Sequence, residues 1–173
     1  MLTLILGGAR SGKSAFAERL ATESGLDVFY VATAQALDGE MADRIAHHRS
    51  RRPVTWTSFE EPVALAAVLR EHARSDRFLL VDCLTLWLSN LLGIDEGAHF
   101  ENERDTFLDI LSTLPGDMAF VSNEVGLGIT PMGELTRRFV DEAGRLHQAL
   151  GQRCDRVVFV AAGLPLILKG IPL

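Results

Sequence analysis

The residues best suited to chemistry stand near the start of the chain, in the run Gly7, Gly8, Ala9, Arg10, Ser11, Gly12, Lys13, Ser14. The pattern is G-x-x-x-x-G-K-S. It follows an apolar stretch, Leu2 to Leu6, that reads as a strand, and it opens a helical pattern, Lys13 to Ser24, with Ala17, Leu20 and Ala21 on one side. Glycines let such a loop curl so that several backbone N–H groups converge on one anion, and the helix N-terminus adds partial positive charge. Lys13 would reach the β- and γ-phosphates and the Ser14 hydroxyl would ligate Mg²⁺. A chance glycine turn rarely combines the full pattern with a strand before it and a helix after it. The run predicts a nucleoside triphosphate site, with Lys13 as its catalytic cation.

Two further groups bear on that site. Asp82 ends the apolar run Phe78 to Val81, where the second nucleotide motif places a carboxylate near the metal. Apolar strands often end in Asp, so this pattern is specific only in company with the loop. The segment from Glu40 to Pro53 is rich in charge and contains His47 and His48. On a helix Glu40, Asp43 and His47 share one side, whereas Arg44, His48 and Arg51 share another. The cationic side attracts phosphate and favours neutral imidazole, the nucleophilic form. Helical geometry therefore prefers His48 to His47 for a nucleophile toward phosphorus, while composition alone favours the plainer reading of a solvated, salt-bridged helix.

The elements that must position these groups alternate along the chain. Strands are expected at Leu2 to Leu6, Val28 to Thr33, Val54 to Phe59, Phe78 to Val81, Met118 to Ser122 and Val157 to Ala161, with Leu164 to Leu168 pairing at an edge. Helices are expected at Lys13 to Ser24, Asp38 to about Ser50, Glu61 to Arg74 with Pro62 in the first turn, Leu84 to Leu92, Glu101 to Leu114, and Pro131 to Leu150. The last of these would show Leu135, Phe139, Ala143 and Leu146 on its apolar face. Gly93 to Ala98 reads as a loop. Apolar strands separated by helices predict an α/β fold, a P-loop NTPase-type three-layer sandwich with a mostly parallel central sheet, RecA-like. The ligand crevice should lie at the C-terminal ends of the strands, where the glycine loop, Thr33 and Asp82 fall.

Length and composition fit this frame. The chain has 173 residues, enough for one nucleotide-binding domain with a single core. The net charge of −6, without a basic tail, argues against nucleic acid as the partner. No apolar run is long enough to span a membrane. Cys83 and Cys154 lack metal-ligand spacing and lie in or beside apolar runs, so buried reduced thiols of a cytoplasmic protein are expected.

Several segments together resemble one family over nearly the whole chain. They are the glycine loop, Tyr30 to Ala34, Asp38 to Met41, Arg44 to Pro53 with Trp56 and Glu60, and Val81 to Thr85. Asn90 to Leu92, Ser122 to Pro131, Arg138-Phe139 and Ala143 to Arg145 complete the set. The family is the bifunctional adenosylcobinamide kinase / adenosylcobinamide-phosphate guanylyltransferase of cobalamin biosynthesis. The resemblance implies two reactions: phosphorylation of adenosylcobinamide by ATP or GTP, then transfer of GMP from GTP to adenosylcobinamide phosphate through a GMP–histidine intermediate. The family's histidine maps onto His48. Nucleotide contacts carried over are Ala32, Thr33, Ala34, Arg49, Ser50, Arg51, Arg52, Glu60 and Asp82. Asn123, Glu124 and Gly126 to Gly128 are read as acceptor-side or loop-shaping residues. A homo-oligomer, a trimer by resemblance, is also implied. Two other readings are a small-molecule kinase without guanylyltransferase activity and a nucleotide-gated switch. The lack of an N-K-x-D guanine-reading motif speaks against a switch of the usual GTPase kind.

Overall fold

The computed structural model describes residues 1–35, 39, 53–94 and 98–171. The expected helix from Asp38 to Ser50, and with it His47, His48, Arg49, Ser50, Arg51 and Arg52, lies outside the described residues. The strands are β1 (Leu2–Gly7), β2 (Asp27–Ala32), β3 (Thr57–Glu60), β4 (Arg77–Asp82), β5 (Asp117–Asn123), β6 (Arg156–Ala161) and β7 (Leu164–Lys169). The described helices are α1 (Lys13–Glu23), α2 (Leu65–His72), α3 (Leu84–Gly93), α4 (Phe100–Ile110) and α5 (Glu134–Arg153). One sheet holds all seven strands in the order β3-β2-β4-β5-β1-β6-β7. Every pairing is parallel except that of β6 with β7.

Strand periodicity explains the three layers. Leu4 and Leu6 of β1, Leu79 and Val81 of β4, and Met118 and Phe120 of β5 join the core beneath α2, α3, α4 and α5. Their alternate neighbours Ile5, Phe78, Leu80, Ala119 and Val121 join the core beneath α1. Burial on both faces accounts for the unbroken apolar runs. In the larger core, Trp87 and Phe107 pack edge-on with ring centroids 5.1 Å apart, and Phe107 and Phe120 do the same at 5.4 Å. The Trp87 indole N–H donates to the Val63 carbonyl at 2.7 Å, so this large ring is buried without an orphan donor. Leu84, Leu88, Leu91 and Leu92 of α3 are buried in the same cluster, in agreement with a core role for that segment.

Some expected boundaries are corrected. The helix expected from Glu61 begins at Leu65, because the Glu61 carboxylate accepts the N–H groups of Val63 (2.8 Å) and Ala64 (2.7 Å) and holds a turn there. Pro62 therefore precedes the helix. The strand expected from Val54 pairs only from Thr57, since Pro53 to Trp56 form a turn closed by the Trp56 N–H on the Pro53 carbonyl. The helix expected to reach Leu114 ends its α-helical part at Ile110 and tightens to a 3-10 turn over Leu111–Thr113. Helix α5 starts at Glu134, not Pro131, and runs on to Arg153, where Lys169 donates to the Gly151 and Gln152 carbonyls. Leu135 is 65% exposed, because the first turns of α5 extend past the core, and burial becomes complete only from Ala143.

Phe107 joins two aromatic contacts and is fully buried. We expect Phe107→Ala to cost about 3–5 kcal/mol. Urea titration should show a lower midpoint with an unchanged slope.

Candidate nucleotide site

Parallel register brings the strand ends together. Gly7 stands opposite Asn123, and Ala32 lies between Glu60 on one side and Asp82 on the other. The expected contacts Gly7, Ala32, Glu60 and Asp82 thus share one edge of the sheet, with Thr33 and Ala34 directly beyond it.

The glycine loop joins β1 to α1 on that edge. A Cβ at Gly7 would lie 2.5 Å from the Val160 carbonyl oxygen and 2.6 Å from the Ser11 hydroxyl, so only glycine fits. Gly12 caps α1 with φ +95°, a left-handed conformation, and a Cβ there would lie 3.0 Å from the Gly163 Cα. Arg10 also has positive φ, at 56°. Within the loop, the Ser11 N–H donates to the Gly8 carbonyl at 3.2 Å. Lys13 opens α1 with only 8% exposure, and its ammonium donates to the same carbonyl at 3.2 Å. The Ser11 hydroxyl is buried and has no hydrogen-bond partner among the described residues. Buried hydroxyls are rarely left so, and a phosphate oxygen in the loop would satisfy it.

The loop is braced by a part of the chain to which sequence reasoning assigned nothing. Ala162 and Gly163, both with positive φ (51° and 77°), form the two-residue turn between β6 and β7. The Gly163 N–H donates to the Ser11 carbonyl at 2.8 Å. The small-residue pair Ala162-Gly163 between two apolar runs was a hairpin signal. Its contact with the loop, some 150 positions away, had no local signature.

Asp82 is oriented by a neighbour on β2. The Tyr30 hydroxyl donates to its carboxylate at 2.9 Å. Tyr30 and Leu80 belong to the core beneath α1, so Asp82 lies on the sheet face that carries the helix of Lys13 and Ser14. Thr33 is wholly committed within the protein. Its N–H donates to the Asp82 carbonyl, its carbonyl accepts from the Asn90 amide, and its hydroxyl donates to the Cys83 carbonyl (2.7 Å) while accepting from the Cys83 N–H (2.8 Å). The Asp82–Cys83 peptide that it clasps is cis. Asn123 donates to the Thr85 hydroxyl at 3.1 Å, and that hydroxyl lies 2.9 Å from the Cys83 sulfur. This network ties the ends of β2, β4 and β5 to the start of α3. Burial, then the charge of Asp82, raises the Cys83 pKa, and burial pushes that of Cys154 up to about 12. Both cysteines are buried free thiols.

On the other face, Ser122 and His147 form a buried polar pair, with Ser122 Oγ 2.8 Å from His147 Nε2. His147 Nδ1 lies 3.7 Å from the Glu124 carboxylate. Burial lowers the His147 pKa below its ordinary 6.5, and Glu124 opposes that shift. The native state therefore holds the ring neutral, while an unfolded chain protonates it first as pH falls. This contribution to stability is complete above about pH 6.5 and is lost on acidification through the lower native value. We expect melting temperature to fall below pH 6.5, and His147→Gln to flatten that part of the profile. Gly7→Ala should remove detectable ATP binding in calorimetry and destabilise the protein by about 1–3 kcal/mol.

Comparison with known proteins gives the same frame. The family model described as cobinamide kinase / cobinamide phosphate guanyltransferase matches residues 3–168. The chain is 63% identical over 173 residues, the full length of both proteins, to the bifunctional adenosylcobalamin biosynthesis protein CobP of Pseudomonas aeruginosa. It is 37% identical over 182 residues to CobU, the bifunctional adenosylcobalamin biosynthesis protein of Escherichia coli, covering 98% of this chain and 100% of the relative. Among solved structures, the RadB recombinase aligns with TM-score 0.53 and 20% identity over 91% of this chain and 73% of its own. A Pyrococcus horikoshii protein, PH0250, aligns with TM-score 0.54 and 12% identity over 99% and 87%. These two share the fold alone, the RecA-like, mostly parallel sheet read from the sequence. Loop geometry, strand order and the match over almost all of its length lead to one conclusion: the chain belongs to the cobinamide kinase / cobinamide phosphate guanyltransferase family.

Proposed function

We propose that this protein is a bifunctional transferase of cobalamin biosynthesis, acting on adenosylcobinamide and then on adenosylcobinamide phosphate. The observation that carries the reading is the braced glycine loop with the buried, unsatisfied Ser11 hydroxyl, in a chain of this family. In the first reaction the loop N–H groups and Lys13 hold the triphosphate of ATP or GTP, and Lys13 neutralises charge that grows on the transferring γ-phosphoryl group. In the second, the His48 imidazole attacks the α-phosphorus of GTP and pyrophosphate leaves. An oxygen of the cobinamide phosphate then displaces the imidazole and takes the GMP. Arg49, Ser50, Arg51, Arg52 and Glu60 are the further nucleotide contacts of this reading, together with Ala32, Thr33 and Ala34. The polar groups of Thr33 are all used inside the protein, so its part is to shape the site.

Mg²⁺ fits the residues present. It binds through one or two protein oxygens plus phosphates and water, and needs no cage of carboxylates. Ser14 and Asp82, on one side of the sheet, are the two oxygens proposed here. The ion would offset the negative charge of the bound phosphates. Among the described residues no helix is long and apolar enough to cross a membrane. Two buried free thiols support a cytoplasmic setting. A homo-oligomer, a trimer by family resemblance, is supported by two exposed apolar surfaces. One comprises Leu127, Ile129, Met132 and Leu135, the other Leu164, Leu166, Leu168 and Ile171.

Incubation with GTP labelled at the α-phosphate tests the mechanism. The native protein should acquire an acid-labile label and His48→Ala should acquire none while still phosphorylating cobinamide. Lys13→Ala should lower both activities about a hundredfold or more. A label that survives His48→Ala would refute the histidine assignment.

A further inference from the structure

One carboxylate beside the glycine loop, read above as acceptor-side or loop-shaping, has no step assigned to it in the chemistry described so far. Strand β5 lies between the Asp82 strand and the loop strand, and Glu124 is the residue that follows it. The Glu124 N–H donates to the Gly7 carbonyl at 3.0 Å, which fixes Glu124 at the first residue of the loop. Its side chain is 22% exposed, so the carboxylate keeps access to solvent while most of the side chain is covered.

That carboxylate is held by one hydrogen bond and faces a buried imidazole. One oxygen accepts the Gly126 N–H at 2.6 Å, and the other faces His147 Nδ1 at 3.7 Å. His147 in turn meets the fully buried Ser122 hydroxyl at 2.8 Å. With its proton on Nδ1 the neutral ring accepts from Ser122 at Nε2 and turns Nδ1–H toward the carboxylate, 3.7 Å away and beyond direct hydrogen-bond reach. The two carboxylates therefore meet partners on opposite faces of the sheet: Asp82 accepts from Tyr30 beneath α1, and Glu124 lies 3.7 Å from His147 of α5. The segment after Glu124 carries the exposed Leu127, Ile129 and Met132.

Resting on the kinase reading above, we propose that Glu124 is the general base of phosphoryl transfer to the acceptor alcohol and that His147 is its positioning residue. The acceptor O–H bond breaks and its proton goes to the Glu124 carboxylate. The acceptor oxygen bonds to the γ-phosphorus, and the bond from that phosphorus to the bridging oxygen breaks. The nucleoside diphosphate leaves with the electron pair. Guanylylation of the enzyme from GTP involves no acceptor alcohol and so does not call on Glu124.

The test uses the full-length protein with cobinamide, ATP and α-labelled GTP. Glu124→Gln keeps an acceptor for the Gly126 N–H but removes the basic oxygen. It should lower kinase kcat about a hundredfold or more, with the nucleotide KM and the covalent GMP label within about twofold of the native values. Glu124→Asp, with its carboxylate drawn back, should lose less and should serve if the glutamine variant fails to fold. His147→Ala should lower kcat about tenfold by loosening the base. His147→Gln, which can still accept from Ser122 and can turn an N–H toward Glu124, should recover much of that loss. Native kcat in a folded Glu124→Gln protein would overturn the proposal, as would equal loss of kinase activity and GMP label. A native protein that takes the label but never phosphorylates cobinamide would instead remove the kinase reading itself.

Discussion

The structure turns on a close main-chain contact at the end of β1. The Val160 carbonyl stands where a side chain at Gly7 would have to go, and the Gly163 Cα closes the space beside Gly12. Because the loop touches backbone on these sides, its curl is set by strands β1 and β6 and by the β6–β7 turn. Few flexible side chains take part. A loop held in this way keeps its N–H groups oriented before a phosphate arrives, and preorganised donors need no reordering when charge develops. The two-residue return that makes β7 antiparallel to β6 also places Gly163 against Ser11.

From this anchor the site extends by register. Each step along the parallel sheet sets another strand end beside the loop, and each polar group there is held by a different buried partner. Tyr30 holds Asp82, Thr33 clasps the Cys83 peptide, and Asn123 reaches Thr85. Buried polar networks of this kind stabilise only when nearly every member is satisfied. Here they are placed where strands β2, β4 and β5 end, so order in the crevice is built into the fold. The Ser122–His147 pair does the same for the opposite face and fixes helix α5 over β5.

Much of this was legible locally. The strands announced themselves as apolar runs, and the loop announced itself because glycine, lysine and serine at those spacings have few other uses. Errors fell where a side chain intervened or where support ran out. Glu61 held a turn that delayed α2, and the first turns of α5 passed beyond the core and left Leu135 exposed. Thr33 is placed at the crevice as expected, yet its hydroxyl serves the Cys83 peptide, a partner fifty positions away.

The amino-acid sequence alone determined the class of fold, the glycine loop between strand and helix, the position of Asp82 at a strand end and the family, because each is written in short-range pattern. Tertiary structure alone decided which strands are neighbours. It set β5 between Asp82 and the loop, brought Gly163 against Ser11, and joined Ser122, Glu124 and His147 on one side of the crevice. Such contacts depend on strand order, and strand order follows from how all the apolar faces are buried together. No window of local sequence contains that information.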